Sequence, residues 1–507
     1  MPTTRAARQY HGRVGAHAES RHVGAAAWTV VAALIVAYLV VFGVSAAARL
    51  ARPVEFMYGE AVVLEIVRRV AQGEALYPAT DHAPFLVTAY TPLYYLIVGG
   101  LQRIFGDSYM VGRLVSLAAT LGAAAALALS ARLVTDRWLP AGLAAGLFLT
   151  QNMTALLWAP LHRVDLLALF LTHLGLLFAT RGHARLAALP LLLAVLTKQT
   201  YLVAPVAVCI ALWPDRRAIL GFGVPFAVGL GLAVAVAQHL TGGWFVWHTV
   251  LANANPFDEG YLRTILASFV HFNGLPLLAA ALLFALPSRP GERVWRAYYL
   301  ALVPTTLATV GKLGASSNYW LELTAATAVL LAILAARLVE LGRARSPITE
   351  LVLPTMLIGA LLVGIPGYQA VVHEARRVLP VDGNVWVKAQ LGLAPLIAAE
   401  PFDVLTDEPA LAVAAGRRVE LEFMIFSLLA GSGFWDERPV LAAIKARRYG
   451  LVVLSRPLDI PPEQARWTTA MAAALKSSYA PAGQQDGYWL YRPKDTPPGM
   501  PVLGAAP

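Results

Sequence analysis

The feature that most constrains this chain is a series of apolar runs, each about as long as a bilayer is thick. A helix needs about 20 apolar residues to cross the hydrocarbon core. Such runs lie near residues 25–47, 112–134, 138–158, 164–180, 218–240, 264–287, 297–311, 319–337 and 348–371. Only 14% of the residues are charged, whereas soluble domains have about a quarter. The sequence therefore predicts a mainly α, polytopic membrane protein.

Basic residues in the short turns predict the orientation, because loops rich in Lys and Arg stay on the cytoplasmic side. The net charge of +10 therefore does not indicate a nucleic-acid partner. We expect residues 1–24 to form a basic cytoplasmic N-terminus and residues 25–371 to form the membrane domain. The partner is then the lipid bilayer, and the expected location is the inner (plasma) membrane of a bacterium. The single cysteine, Cys209, excludes a disulfide within the chain.

Two apolar segments are predicted not to make one simple crossing. Residues 91–105 would extend only about 22 Å as a helix. Arginine counting favours a helix lying flat on the outer surface, within a first outer loop over 49–110. Residues 186–213 carry arginines on both flanks, which predicts a hairpin of two short helices meeting at Lys198. With the hairpin counted as two, the chain has about eleven membrane segments.

The C-terminal part, residues 372–507, has a different composition from the rest. Short apolar stretches at 403–406, 450–454 and 488–491 are predicted strands, and 437–448 is a predicted helix. Strands that alternate with helices indicate a small α/β domain. The arginine pattern places this domain on the extracytoplasmic side, in the periplasm or outside the cell.

The first outer loop carries candidate catalytic chemistry. Apolar residues at helical spacing predict an interfacial helix from Glu60 to Gly73, with its charged face toward water. Glu60, at the start of this helix, is the candidate catalytic carboxylate; alternatively it only complements the helix dipole. Tyr58 and Tyr94 are candidate substrate-binding residues. A second helix is predicted to begin at Thr91, acting as the cap before a proline.

Two cations later in the sequence, Arg163 and Lys198, could bind an anionic group. Arg163 can hold a phosphate through two parallel hydrogen bonds. Asp165 is a second candidate catalytic residue, or simply a charge at a helix N-terminus. Lys198 is a cation at membrane depth, where such residues face a polar cavity or a partner. Its alternative is a side chain that snorkels to the surface.

Three further candidates lie near the last outer turn. Lys312 and Asn318 are predicted to bind substrate, and so is Glu322, which could instead pair with a buried cation. The sequence contains no metal-binding spacing and no phosphate-cradling glycine-rich loop. The sequence neither predicts nor excludes a divalent metal ion as a cofactor. If one binds, Glu60 and Asp165 are its candidate ligands.

Outer-side carboxylates combined with cations at depth suit chemistry on a lipid phosphate. The cations would stabilise a phosphate leaving group, and a carboxylate would accept a proton from an attacking hydroxyl. A transporter or flippase of lipid-linked sugars is the alternative, but it should show paired broken helices, and only one broken hairpin is predicted. A third possibility is an assembly subunit whose C-terminal domain recruits partners.

Five short motifs give the chain a resemblance to a known family. They are Tyr58-Gly59-Glu60, residues 73–78, residues 90–95, Arg163-Val164-Asp165 and residues 196–199. Over about residues 25–340 the chain resembles the GT-C glycosyltransferases, in particular the aminoarabinose transferase and protein O-mannosyltransferase group. The resemblance implies a GT-C fold and a polyprenyl-phosphate-linked sugar donor. It also implies inverting transfer to a lipid, glycan or protein acceptor.

The same resemblance suggests roles for single residues. The acidic residue of the first outer loop is catalytic in the family, which maps onto Glu60, and the acid after the third span maps onto Asp165. One departure concerns the motif at Tyr90-Thr91-Pro92, which lacks the charged pair and the phosphate-binding lysine of close relatives. That role is then left to Lys198, Arg163 or Lys312.

Overall fold

The computed structural model describes residues 3–50, 52–151, 154–344, 349–366, 369, 385–460 and 466–495. Side chains are described from residue 22 onward, apart from 154, 343, 344, 349 and 350. The side chains of most of the predicted basic N-terminus lie outside this part of the chain. The predicted boundary between the two domains, at 371 and 372, and the end of the last predicted span lie outside it too.

Within the described ranges, α-helices make up the membrane domain. They are α1 (Thr3–Leu50), α2 (Glu60–Ala71), α3 (Leu93–Phe105), α4 (Tyr109–Thr135), α5 (Trp138–Thr150), α6 (Thr154–Trp158), α7 (Asp165–Thr180), α8 (Ala184–Thr197), α9 (Val203–Leu212), α10 (Arg216–Leu240), α11 (Trp244–Thr249), α12 (Glu259–Leu282), α13 (Arg293–Val310), α14 (Leu321–Ala344) and α15 (Thr349–Val363).

These helices form a polytopic membrane bundle, as the sequence predicts. By length and composition, 5 helices in the described residues can cross a bilayer. They are His22–Leu50, Tyr109–Thr135, Arg216–Leu240, Glu259–Ala285 and Ser317–Gly342. The last of these includes α14, whose Ala- and Leu-rich sequence is buried on nearly every side. Small alanines let neighbouring helices approach closely, so α14 forms the centre of the bundle.

The predicted broken hairpin is confirmed. α8 ends at Thr197, Lys198 has an extended backbone with φ −151° and ψ 117°, and α9 begins at Val203. The predicted cap at Thr91 is wrong, because α3 starts one residue after Pro92 without a side-chain cap. Instead the Thr91 hydroxyl donates to the carbonyl of Val195, 2.7 Å away, and satisfies an acceptor at the end of α8.

The first loop forms a platform of α2 and α3, but its charged face does not point to water. Glu65 is buried and lies 3.4 Å from Arg418 of the C-terminal domain. The expectation of an exposed polar face on α2 was therefore wrong, because the C-terminal domain covers it. The predicted end of the helix is confirmed by Gly73, whose φ of +84° is a conformation that glycine adopts without steric cost.

The described part of the C-terminal domain is a four-stranded sheet with helices around it. The strands are β1 (Asp403–Thr406), β2 (Tyr449–Leu454), β3 (Tyr479–Gln485) and β4 (Tyr488–Pro493), in the order β1-β2-β4-β3. β1 and β2 are parallel, and the other two pairs are antiparallel. The helices are α16 (Val385–Ala399), α17 (Pro409–Ala414), α18 (Phe423–Gly431), α19 (Arg438–Lys445) and α20 (Thr469–Ser478).

The predicted strands match β1, β2 and β4, and the predicted helix matches α19. The sequence did not predict β3, because Pro481 and Gly483 interrupt its pattern and its register shifts between them. β2 is buried at every position, so it reads as a continuous apolar run without alternation.

The C-terminal domain and the first loop share one hydrophobic core. Phe85 pairs through its backbone with the segment around Leu421, and its N–H donates to the carbonyl of Glu420 at 2.9 Å. Its ring packs against those of Phe426 and Trp435. The Trp435 indole N–H donates to the carbonyl of Thr80 at 2.8 Å. Separating the two parts would expose these aromatic rings to water, which is unfavourable.

We predict that the C-terminal domain lies on the extracytoplasmic side of the membrane, in the periplasm or outside the cell. In a Cys209→Ala background, the exposed position Gln484→Cys on β3 should react with a membrane-impermeant thiol reagent in intact cells. Gln484 is preferred to Gly483, whose φ of +141° would strain a cysteine. The control Arg217→Cys, exposed at the start of α10, should react only after permeabilisation. The reverse labelling pattern would contradict this orientation.

Candidate active site

A cavity of about 1280 Å³ lies where the bundle, the first loop and the C-terminal domain meet. The first loop contributes the segment around Tyr58 and Val62, and the hairpin contributes its tip at Lys198 to Thr200. The turn between α13 and α14 supplies residues 312–316, and the C-terminal domain supplies residues around Glu422 and Arg466. Its size exceeds that of a typical small-molecule pocket, so it can hold a bulky ligand.

The charged residues that line this cavity are mostly cationic. The side chains of Arg163, Lys198, Lys312 and Arg466 line it. Among the described residues, Glu422 is the one carboxylate on its wall. Valine, leucine, isoleucine and tyrosine side chains cover much of the remaining wall. Such a surface favours an amphipathic anion over a cation.

Lys198 is held in the cavity wall by a carboxylate behind it. Its ammonium lies 2.6 Å from Asp165 Oδ1, and the side-chain amide of Asn318 donates to the same oxygen at 2.8 Å. The ammonium also lies near the rings of Tyr90 and Tyr319, 5.3 and 5.4 Å from their centroids. Lys198 is only 4% exposed, so the snorkelling alternative is wrong.

Arg163 lies in the same region as Lys198. Its Nε lies 3.8 Å from Asp165 Oδ2, and its Nη2 donates to the Tyr90 hydroxyl at 3.3 Å. Asp165 is fully buried behind both cations and does not line the cavity. Its role in this geometry is to compensate and orient Arg163 and Lys198, whose burial without a counter-charge would be costly.

Gly59 allows the Arg163 guanidinium to reach the cavity. A Cβ atom at this position would lie 2.1 Å from Arg163 Nη1, and the glycine has a φ of +97°. The backbone conformation therefore requires glycine, and any side chain here would also displace the Arg163 guanidinium.

Glu60 lies away from the cavity and is held by four donors. Arg113 Nε and Nη2 donate to its two oxygens at 3.0 Å each, and the backbone N–H groups of His162 and Phe56 donate at 2.7 and 2.9 Å. Burial alone would raise its pKa, but Arg113 and these N–H groups together lower the pKa of Glu60. A carboxylate so stabilised is a weak base, so its catalytic role stays a prediction that this geometry does not favour.

Two other predicted site residues do not reach the cavity wall. Tyr94 is fully buried, and its hydroxyl donates to the carbonyl of Gly112 at 3.3 Å. Glu322 accepts a hydrogen bond from the Tyr298 hydroxyl at 2.6 Å, inside the bundle. Both contacts are internal to the fold, so direct substrate binding by either residue is not supported. In contrast, Tyr58, Lys312 and Asn318 all line the cavity.

Several buried polar atoms around the cavity have no partner. The atoms without a hydrogen bond among the described residues include Tyr58 Oη, Arg163 Nε, Gln199 Oε1, Asn318 Oδ1 and Glu422 Oε2. All five residues line the cavity. Buried polar groups in native proteins are almost always hydrogen-bonded, so these five atoms leave unused hydrogen-bonding capacity in residues of the cavity wall.

The described residues contain no cluster suited to a metal ion. No group of three or more His, Cys, Asp or Glu side chains that could hold one occurs in them. The two candidate ligands from the sequence are occupied, since Glu60 is paired with Arg113 and Asp165 with Lys198. A divalent ion as cofactor stays a prediction.

The sequence analysis missed the residues that the C-terminal domain adds to the cavity. Glu422 precedes α18 and Arg466 precedes α20, both far in sequence from the first-loop motifs. Neither belongs to a recognisable motif. The available signal was the carboxylate of Glu422 inside the apolar stretch 421–430, because glutamate is rarely fully buried unless it is paired.

The fold is shared with one protein that has been solved in two states. No family model and no curated protein sequence matches the chain. ArnT from Cupriavidus metallidurans, solved bound to undecaprenyl phosphate, matches with a TM-score of 0.60 and 14% identity, over 91% of this chain and 97% of that one. Its apo state matches with a TM-score of 0.58 and 14% identity, over 92% and 98%.

A looser match is the Archaeoglobus fulgidus oligosaccharyltransferase in complex with Zn and sulfate. It has a TM-score of 0.49 and 13% identity, over 87% of this chain and 71% of that one, and nothing below rests on it. At these identities the likeness to ArnT establishes the fold alone. The expected GT-C fold is therefore confirmed.

We predict that Glu60→Gln destabilises the protein, because it leaves the fully buried Arg113 without a counter-charge. Breaking one side of a buried ion pair costs about 3–5 kcal/mol. Thermal unfolding in detergent should therefore shift to a lower temperature. Glu259→Gln, which removes an ion pair on the surface, should leave unfolding nearly unchanged. Wild-type unfolding combined with lost turnover would instead support a catalytic Glu60.

Proposed function

We propose that this protein is a membrane glycosyltransferase that moves a sugar, a hexose or pentose, from a polyprenyl-phosphate donor to an acceptor on the extracytoplasmic face. The observation that carries the proposal is the cavity lined by four cations and one carboxylate, at the junction of the membrane bundle and the outer domain. A solved protein of the same fold was crystallised with undecaprenyl phosphate. That ligand class has the apolar tail and anionic head that this cavity suits.

In this proposal Arg163 and Lys198 bind the donor phosphate. Asp165 balances only part of their combined charge, since one carboxylate faces two cations. The remaining positive charge can stabilise the phosphate as it gains charge while leaving the sugar. Both cations are nearly buried and held in place by Asp165, so they do this without the reorganisation that water would need.

Lys312 provides a third contact and a clear experimental probe. It lines the cavity and forms no ion pair with any described residue. A cation with no internal partner contributes little to folding, so its loss should mainly weaken the binding of an anionic ligand.

Transfer is expected to invert the sugar, with a carboxylate as general base, when the acceptor hydroxyl attacks from the side opposite the phosphate.

The proposal is tested with purified protein and a panel of polyprenyl-phosphate sugars, by measuring the release of free polyprenyl phosphate. Turnover with one donor is the expected result. Transport of the intact lipid-linked sugar across liposomes without any release would favour the flippase alternative. No release and no transport with any donor would contradict both functions.

We predict that Arg163→Gln and Lys312→Gln weaken donor binding. Each loses a charge-assisted contact, which is worth about 1.5–3 kcal/mol or roughly ten- to 150-fold in Kd. Lys312→Gln should not change thermal unfolding, because it breaks no ion pair. Arg263→Gln, an exposed arginine on α12, is the matched control and should bind like the wild type. Unchanged Kd values in both cavity variants would refute the phosphate-binding assignment.

A further inference from the structure

The C-terminal domain contributes a carboxylate whose surroundings resemble those of a reacting group. Glu422 lies at the N-terminal end of α18 and is 8% exposed. Its backbone N–H donates to the carbonyl of Phe85 at 3.0 Å, which fixes its position against the first loop. Its Oε2 atom has no hydrogen-bond partner among the described residues, although the side chain lines the cavity.

We propose that Glu422 is the general base of the transfer reaction, accepting the proton of the acceptor hydroxyl. This inference rests on the proposed function. It follows from placement, because no other described carboxylate reaches the cavity. Glu60 and Asp165 each accept hydrogen bonds from cationic or amide donors behind the wall. Glu55 has an unpartnered oxygen but does not line the cavity.

The proposed step balances atoms and charge. The oxygen of the acceptor hydroxyl attacks the anomeric carbon, and its proton passes to the Glu422 carboxylate. The bond between that carbon and the phosphate oxygen breaks, and its electron pair stays on the phosphate. Arg163 and Lys198 come from the bundle, whereas Glu422 comes from the C-terminal domain. The proposed base and the groups that bind the leaving phosphate therefore come from different parts of the chain.

The electrostatic surroundings of Glu422 suit a base that works near neutral pH. Burial raises the pKa of Glu422 to about 8, while the N–H of Val87 and the Arg163 charge oppose the rise. A general base is most effective when its pKa lies near the working pH. The charged and titratable groups facing this part of the cavity are Tyr58, Tyr95 and Arg163 from the membrane domain and Arg466 from its own domain.

The pH dependence of the rate is the first test. Because the base must be ionised, turnover at saturating donor should rise about tenfold between pH 7 and pH 9, with an apparent pKa near 8. Glu422→Gln should lower turnover by about 10²–10⁴-fold and flatten this rise, with little change in donor Kd. Glu422→Asp should recover part of the rate and keep a pH-dependent profile.

A stability measurement shows whether Glu422→Gln is folded and whether the titration is real. In the folded protein the pKa is raised above its ordinary value, so the acid stabilises the fold below about pH 4.5 and this contribution is lost as pH rises through about 8. Relative to Glu422→Gln, the wild type should therefore lose thermal stability between these two pH values. Equal pH dependence of unfolding in the two proteins would count against the proposal.

Two controls separate this proposal from its alternatives. Glu420→Gln changes a neighbouring carboxylate that pairs with Arg448 outside the cavity, and it should keep the wild-type rate and profile. Wild-type turnover by Glu422→Gln with a retained pH profile, or loss of the profile in Glu55→Gln alone, would overturn the role of Glu422 and leave the transferase function standing. Absence of turnover in the wild type with every donor would defeat both.

Discussion

The buried pair of Arg113 and Glu60 is the contact on which the site geometry depends. Besides Glu60, the Arg113 guanidinium donates to the backbone carbonyls of Arg49, Arg52 and Val54. Glu60 in turn accepts a hydrogen bond from the backbone N–H of His162, the residue before Arg163. One ion pair thus joins the end of α1, the start of α2, the N-terminal part of α4 and the loop before α7. In a low-dielectric interior such a fully hydrogen-bonded pair specifies one arrangement of the backbone.

The cavity is built on a separation between carboxylates that hold the structure and groups that face the ligand. Asp165 and Glu60 lie behind the wall, each in contact with a cation. The groups on the wall have spare hydrogen-bonding capacity, and most of the charged ones are positive. Such a site can bind an anion without breaking its own ion pairs, so binding need not disturb the fold.

Much of the fold could be predicted from the sequence, because its signals are local. Apolar length identified the bundle, arginines on both flanks of 186–213 identified the hairpin, and short apolar stretches identified β1, β2 and β4. The cationic half of the site could also be predicted, since Lys198 is a cation inside an apolar segment and Arg163 lies in a polar turn between two spans. The ion pairs could not be predicted. Asp165 meets Lys198, and Arg113 meets Glu60, only because helices that are distant in sequence pack together. Glu422 was missed for the same reason, since its position depends on pairing with Phe85 more than 300 residues earlier.

The shared core between the first loop and the C-terminal domain has a consequence for biosynthesis. Phe85 is added early during synthesis, yet its ring packs on Phe426 and Trp435, which the ribosome adds much later. Until then the cavity lacks its outer wall, including Trp467 and the carboxylate of Glu422. A nascent or truncated chain therefore holds the cations without the wall that completes the cavity. The order of the elements along the chain delays a complete site until the segment that carries Trp467 has been made.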